Sequence, residues 1–408
     1  MTSSPVTGRS ADTGAGTHDV ATWRIVGDPL VAPTGAGSLS GTTMAVKDLY
    51  AVAGHAIGAG NAAYLADAVP AAGHAEVIGL LLAAGVAIRG ISRTDEFAYS
   101  MSGTNVHYGS PLNPRAPDRV VGGSSNGSAS ATARGLVDIG LGTDTAGSVR
   151  VPASYCGLFG IRTTHGLVPL DGVLPLAPSF DTVGWMTRDA DLLDRVARCL
   201  IDEGPDDPPT PIGSLVIADD LCALADPATA AAVVNAAGQL AAGRGVRLTR
   251  TRLLDGVDAG LREAFRVVQS AEAWTAHGDW VTAHPGVIGP GIRGRFAFGA
   301  TVSADQAADA RGAIADARRI IHGQIAAGTA IVMPAASGPA PLVALDGVEK
   351  STMRSATLAL TTVAAAAGLP VVVAPAGAVD GLPVGVALMG APLADLALTT
   401  LLSTEGFR

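Results

Sequence analysis

Lysine is scarce in this chain of 408 residues. Of its 27 basic residues only Lys47 and Lys350 are lysines, and the other 25 are arginine. Arginine is the default carrier of positive charge here, so a lysine inside an apolar segment asks for a chemical reason. Cysteine is also scarce: Cys156, Cys199 and Cys222 stand far apart without CxxC spacing. That makes no cysteine zinc site, and it suits a reducing, cytoplasmic location more than a disulfide framework. Aromatic residues make up 4%, the net charge is −9, and no basic stripe occurs. Nucleic acid is therefore not an expected partner, and the acidic excess serves solubility. Residues 1–20 carry charge only at Arg9, Asp12 and Asp19 and have no apolar run of the signal-peptide kind, so they read as a mobile tail. The longest uncharged run, Ser355 to Val379, could span a membrane by length, but "AGLP" breaks it in the middle. It reads as a helix ending near Gly368 followed by a buried strand, and no membrane partner is expected.

The chain has apolar residues in abundance, 48% of the total, enough for a large core. Short apolar runs predict strands at 86–92, 136–144, 214–220, 329–335 and 369–376. Between them Ala-rich stretches predict helices, notably 226–243, 303–327 and 351–367. This alternation predicts an α/β sandwich with a sheet buried on both faces. No internal repeat interrupts it. Residues 21–408 read as one domain, with the Pro/Asp-rich stretch 202–213 as either a hinge or a long surface loop.

Three segments carry chemistry. "VGGSSNGSAS" (121–130) runs into a helix-forming stretch, which sets Ser124 and Ser125 near a helix start, where free N–H groups favour an anion or a polarised hydroxyl. It lacks the GK[ST] ending of a phosphate loop and the spacing of a nucleophile elbow. Plain N-capping by serine competes with this reading. "TDTAGS" (143–148) follows a predicted strand. Its small residues let successive N–H groups converge on one oxygen, as an oxyanion hole requires. The competing reading is a turn stabilised by Asp144 and Arg150. Lys47 sits in "TTMAVKDLY", an apolar strand-like context; a buried lysine can lose its proton where an arginine cannot, which makes it a candidate base. His107 and His165 are the two histidines nearest the serine-rich segments and supply the rival base of a Ser-His-Asp arrangement. No His/Cys/Asp cluster has metal-ligand spacing.

Together, "AVKDLY" (45–50), "ISRTDEFAYSMSGTNVHYGSPLNP" (91–114) and residues 122–166 resemble the amidase signature family. The resemblance is strong over about 40–190 and fades through 200–350. It returns at "GLPVVVAPAG" and "GLPVGVALMG", which are similar to that family's closing strands. "RVPASYCG" and "SFDTVGW" are similar to plant indole-acetamide hydrolases, whereas "TDTAGS" is similar to allophanate-type hydrolases. The resemblance implies an α/β/α sandwich around a large mixed, mostly parallel twisted sheet.

It also implies hydrolysis of a small carboxamide to carboxylate and ammonia. Ser148 would be the nucleophile, Ser124 the bridging serine after a cis Gly123–Ser124 peptide, and Lys47 the base. The N–H groups of Thr145, Ala146, Gly147 and Ser148 would form the oxyanion hole. Met101, Ser102 and Gly123 are expected at the substrate, with Ser125, Asp144 and Arg150 in support. The stretch 255–350 is expected to shape the acyl pocket. Asn126 and Ala146 depart from the family's usual glycines without removing a catalytic group. No cofactor and no metal are implied, and a homodimer is kept open as the assembly. Two other functions stay open: the amidase subunit of a glutamine-dependent amidotransferase, and a catalytically silent binding member.

Overall fold

The computed structural model describes residues 19–202, 210–345 and 347–403. Most of the predicted tail and the centre of the 202–213 stretch lie outside the described residues. The strands are β1 (Trp23–Val31), β2 (Thr43–Lys47), β3 (Ala87–Ser92), β4 (Ile139–Thr143), β5 (Phe159–Arg162), β6 (Val183–Thr187), β7 (Ser214–Ala218), β8 (Arg247–Thr251), β9 (Thr329–Pro334), β10 (Val371–Val379) and β11 (Leu382–Met389). They form one 11-stranded sheet in the order β1-β3-β2-β4-β6-β5-β10-β11-β9-β7-β8.

Alternation along these strands builds a core on each face. In β10, Val372 and Ala374 join one apolar cluster while Val371 and Val373 join the other. This is what a strand buried on both sides requires, since successive side chains point to opposite faces. Helices cover both clusters, and the uncharged run near the C-terminus divides as expected into the helix Gly347–Ala367 and β10. No helix among the described residues is long and apolar enough to cross a membrane.

The sheet is mixed, as expected, but its strands are less often parallel than expected. Of the ten neighbouring pairs among the described strands, β2 with β3, β2 with β4, β7 with β8 and β7 with β9 are parallel, and the other six are antiparallel. The hairpin β10–β11, with its outer pairings to β5 and β9, and the strand β6, wedged between β4 and β5, account for five of the six antiparallel pairs.

The parallel pair β2–β4 positions the site. Val46 lies opposite Leu141, so both strands run out at one edge, with Lys47 ending β2 and Thr143 ending β4. The helix Asn126–Ala133 packs on β4, where glycine is required. A Cβ on Gly142 would lie 2.5 Å from Ser125 Oγ, and one on Gly140 would lie 2.8 Å from the Ser128 carbonyl. The bare backbone of "IGLGT" therefore lets the serine-rich segment settle directly above the strand.

Candidate active site

Lys47 is fully buried among hydroxyls. Its Nζ donates to Ser124 Oγ at 2.7 Å, to Thr143 Oγ1 at 2.8 Å and to Ser125 Oγ at 3.0 Å. It makes no ion pair among the described residues. Burial pushes its pKa from 10.5 down to about 7, against the opposing pull of Asp95, Asp144 and Asp181. Asp95 is itself buried and pushed up to about 6; it accepts from the Gly103 N–H at 3.1 Å and from Asn126 Nδ2 at 3.0 Å.

The serine-rich segment is built for this lysine and not for plain capping. Ser125 sits at the N-cap of the helix Asn126–Ala133, yet its side chain makes no capping hydrogen bond. It accepts from Lys47 instead. The Gly123–Ser124 peptide is cis.

After Thr143 the chain wraps around Asp144. The Asp144 carboxylate accepts from the N–H groups of Gly147 (2.8 Å), Val149 (3.2 Å) and Arg150 (3.3 Å), and from the Arg150 guanidinium at 2.9 and 3.0 Å. Arg162 adds a contact at 3.3 Å. Burial opposes the charge, but Arg150 and Arg162 outweigh it and hold the carboxyl well below the usual carboxylate range. Gly147 has φ +118°, and a Cβ there would lie 2.9 Å from the Thr361 side chain, so only glycine fits this turn.

This wrapping corrects one expectation. The Gly147 N–H is held by Asp144, and Gly147 does not line the cavity. Among the described residues the N–H groups of Thr145, Ala146 and Ser148 have no acceptor, and these three residues do line it. The same aspartate that bends the loop thus removes one donor from the expected set and leaves three. Asp144 and Arg150 brace the loop through these contacts.

Replacing Asp144 by alanine strips the counter-charge from Arg150 and Arg162, both essentially inaccessible. We expect a loss of about 3–5 kcal/mol in chemical denaturation at neutral pH. The wild-type contribution is present above the ordinary aspartate value of 3.8 and is lost on acidification, because the folded-state pKa is depressed. A loss below about 1 kcal/mol would contradict this role.

Ser148 lines a cavity of about 450 Å³, and among the described residues its hydroxyl makes no hydrogen bond. Lys47 and Ser124 are therefore joined directly, while Ser148 stands with its hydroxyl unengaged at the cavity wall. Met101 also lines the cavity, but Ser102 and Gly123 do not. Ser102 Oγ is engaged by Ser100 and Thr104 at 2.9 and 3.0 Å. Gly123 is wedged against Asp95, where an added Cβ would lie 2.4 Å from Oδ2. Neither histidine lines the cavity: His107 Nε2 lies 2.7 Å from Glu96 Oε1, and His165 Nε2 donates to the Pro178 carbonyl at 2.8 Å.

Ala98, Tyr99, Ser100 and Leu176 also line the cavity, and much of the remaining wall comes from the helices Leu261–Ala283 and Pro290–Gly299, inside the stretch expected to shape the pocket. A further contribution comes from Ser351 to Thr362, beyond it. Thr143, the third partner of Lys47, is a residue that sequence reasoning missed, although its place at the end of the predicted strand beside the oxyanion segment is the signal that could have found it.

The amidase family model matches residues 32–273. The chain is 36% identical to Amidase 1 of Arabidopsis thaliana over 380 residues, covering 86% of this chain and 89% of that protein. A solved crystal structure of an amidase superposes with a TM-score of 0.81 at 28% identity, covering 90% of this chain and 84% of that one. An inhibitor-bound complex solved in connection with the origins of an s-triazine catabolic enzyme gives 0.82 at 29% identity, covering 90% and 84%.

Proposed function

We propose that this chain, which belongs to the amidase family, hydrolyses a small carboxamide through an acyl-enzyme on Ser148, with Ser124 and Lys47 as the proton relay. The observation that carries the relay is the buried Lys47 amine held by three hydroxyls and no carboxylate. A neutral amine has two N–H bonds and one lone pair, so three hydroxyl neighbours are matched when one of them donates to it. In that neutral state the Ser124 contact, an Nζ–H donation when the amine is charged, runs the other way, with the Ser124 hydroxyl donating to the lone pair.

Ser148 Oγ attacks the amide carbon. Its proton passes to Ser124 Oγ while Ser124's own proton passes to Lys47 Nζ. The oxyanion rests on the N–H groups of Thr145, Ala146 and Ser148; one such donor is worth about 2.7–4 kcal/mol. Collapse returns the proton through Ser124 to the leaving nitrogen, and ammonia departs. Water then attacks the ester on Ser148 by the same relay and releases the carboxylate.

Hydroxylamine tests the covalent step. It should intercept the acyl-enzyme and give a hydroxamate from the amide substrate. Steady hydrolysis with no hydroxamate, at hydroxylamine concentrations that reach the site, would overturn the acyl-enzyme.

The pH profile follows from Lys47. The amine must be neutral to accept a proton, so kcat/KM should rise with pH through about 7 and fall about tenfold per unit below it. Asp95 holds the lysine pKa up. Asp95→Asn should therefore move this limb to lower pH; a flat wild-type profile from about pH 5.5 to 8.5, or a shift to higher pH in the variant, contradicts the assignment.

A further inference from the structure

Four arginines line the cavity: Arg262, Arg266, Arg295 and Arg354. The one acid among the lining residues is Glu263. It is spent on Arg266, whose Nε and Nη2 donate to it at 2.8 and 2.5 Å. Arg262 is tied to the Ser355 hydroxyl at the rim. Arg295 and Arg354 are left. Among the described residues neither makes a hydrogen bond or an ion pair, and the nearest engagement of Arg295 is a distant cation–π contact, 5.5 Å from the Tyr99 ring centre. Asp95 attracts both from behind the wall, but its oxygens are occupied by Gly103 and Asn126. In a chain of net charge −9, a cavity lined by Ser148 and by two arginines unpaired among the described residues is a local reversal of sign.

We infer that the substrate is an anionic amide, the monoamide of a small dicarboxylic acid, whose free carboxylate is held by Arg295 and Arg354 while its amide carbon meets Ser148. The inference rests on the amidase reading for which end of the ligand faces the serine. Two guanidinium groups that face one cavity without a counter-ion repel each other. Burial and the charge of Arg354 together push Arg295 down to about 10. A carboxylate between them removes that repulsion and adds charge-assisted hydrogen bonds, for which the planar guanidinium fork is well shaped. A neutral amide of equal length gains neither, and a cationic one adds to the repulsion.

The test separates binding from turnover. Calorimetry on the Ser148→Ala variant compares three amides at each of several chain lengths: a dicarboxylic monoamide from malonamate to adipamate, the alkyl amide of matched length, and the matched ω-amino amide. At the best-fitting length the anionic member should bind about 10- to 100-fold more tightly than the neutral one, and the cationic member more weakly than both. Adding Arg295→Met or Arg354→Met should each cut the anionic-to-neutral ratio about tenfold, with thermal melting as the check that the chain is folded. Equal or tighter binding of the neutral or cationic amides at every length, or a ratio unchanged in both arginine variants, overturns the inference. Anion-selective binding together with a wild-type chain that hydrolyses none of these amides supports the carboxylate subsite and contradicts the amidase reading, so the two failures are told apart.

Discussion

Ser148→Ala is expected to leave a folded chain whose amide turnover falls by on the order of 10⁵–10⁶-fold. The substitution removes one oxygen from a side chain that makes no hydrogen bond within the described protein, so nothing in the fold depends on that atom. Its backbone role is untouched: the Ser148 carbonyl still accepts from the Ser125 N–H at 3.2 Å, and among the described residues its own N–H stays without an acceptor. The lost step is covalent attack. Lys47, Ser124 and the free N–H groups remain, so a residual rate above the uncatalysed reaction should persist from oxyanion stabilisation and positioning alone. Assays of ammonia release with matched circular dichroism spectra check this. Turnover within tenfold of wild type would remove Ser148 from the role of nucleophile.

Lys47→Arg should also be severely damaging, with a loss of about 10²–10⁴-fold in kcat/KM, although formal charge is conserved. A guanidinium does not give up its proton in a protein, and its planar fork cannot reproduce three contacts of 2.7–3.0 Å made by one nitrogen. Lys47→Met, which keeps the approximate volume and removes the amine, should lose activity to a similar degree. The two variants part company in stability. The wild-type amine has a folded-state pKa near 7 against an ordinary 10.5. Its pH-linked contribution is complete above about 10.5 and is lost as pH falls toward about 7. The stability of the wild type relative to Lys47→Met should therefore rise with pH across that window, in denaturation series run in parallel. Arginine-variant turnover within tenfold of wild type would displace Lys47 as the base.

Lys47 was legible because lysine is so rare in this chain, and a residue kept against the local habit stands out. Ser124 and Ser125 were legible as a pair near a helix start but not in function. Capping and proton relay use the same residue types, and only the contact to Lys47 across 77 residues of chain decides between them. The fate of the Gly147 N–H was hidden for a related reason. A turn of small residues advertises free donors, but which of them Asp144 takes depends on φ/ψ values that no spacing encodes. The runs that became β3, β4, β7, β9 and β10 were legible from apolar composition, but β5 and β6 were not among them, and direction was hidden because a run buried on both faces reads alike either way.

The cavity's arginines were the hardest to see. Arg295 and Arg354 come from helices far apart in the chain and far from the signature, and among 25 arginines nothing marks two as unpaired. Only the packing of the helices Leu261–Ala283, Pro290–Gly299 and Gly347–Ala367 around the cavity brings them to Ser148's side of the sheet.

The most direct test of the relay is the identity of the residue labelled by a small fluorophosphonate, read by mass spectrometry of the peptide containing "TDTAGSVR" and of the peptide containing Ser124. An activated nucleophile reacts where proton removal is organised, and an inert serine does not. One label per chain on Ser148, formed at least about 100-fold more slowly in Lys47→Met, is the expected result. A label on Ser124, or no label from a reagent that enters the cavity while turnover continues, would contradict the assignment of nucleophile and relay.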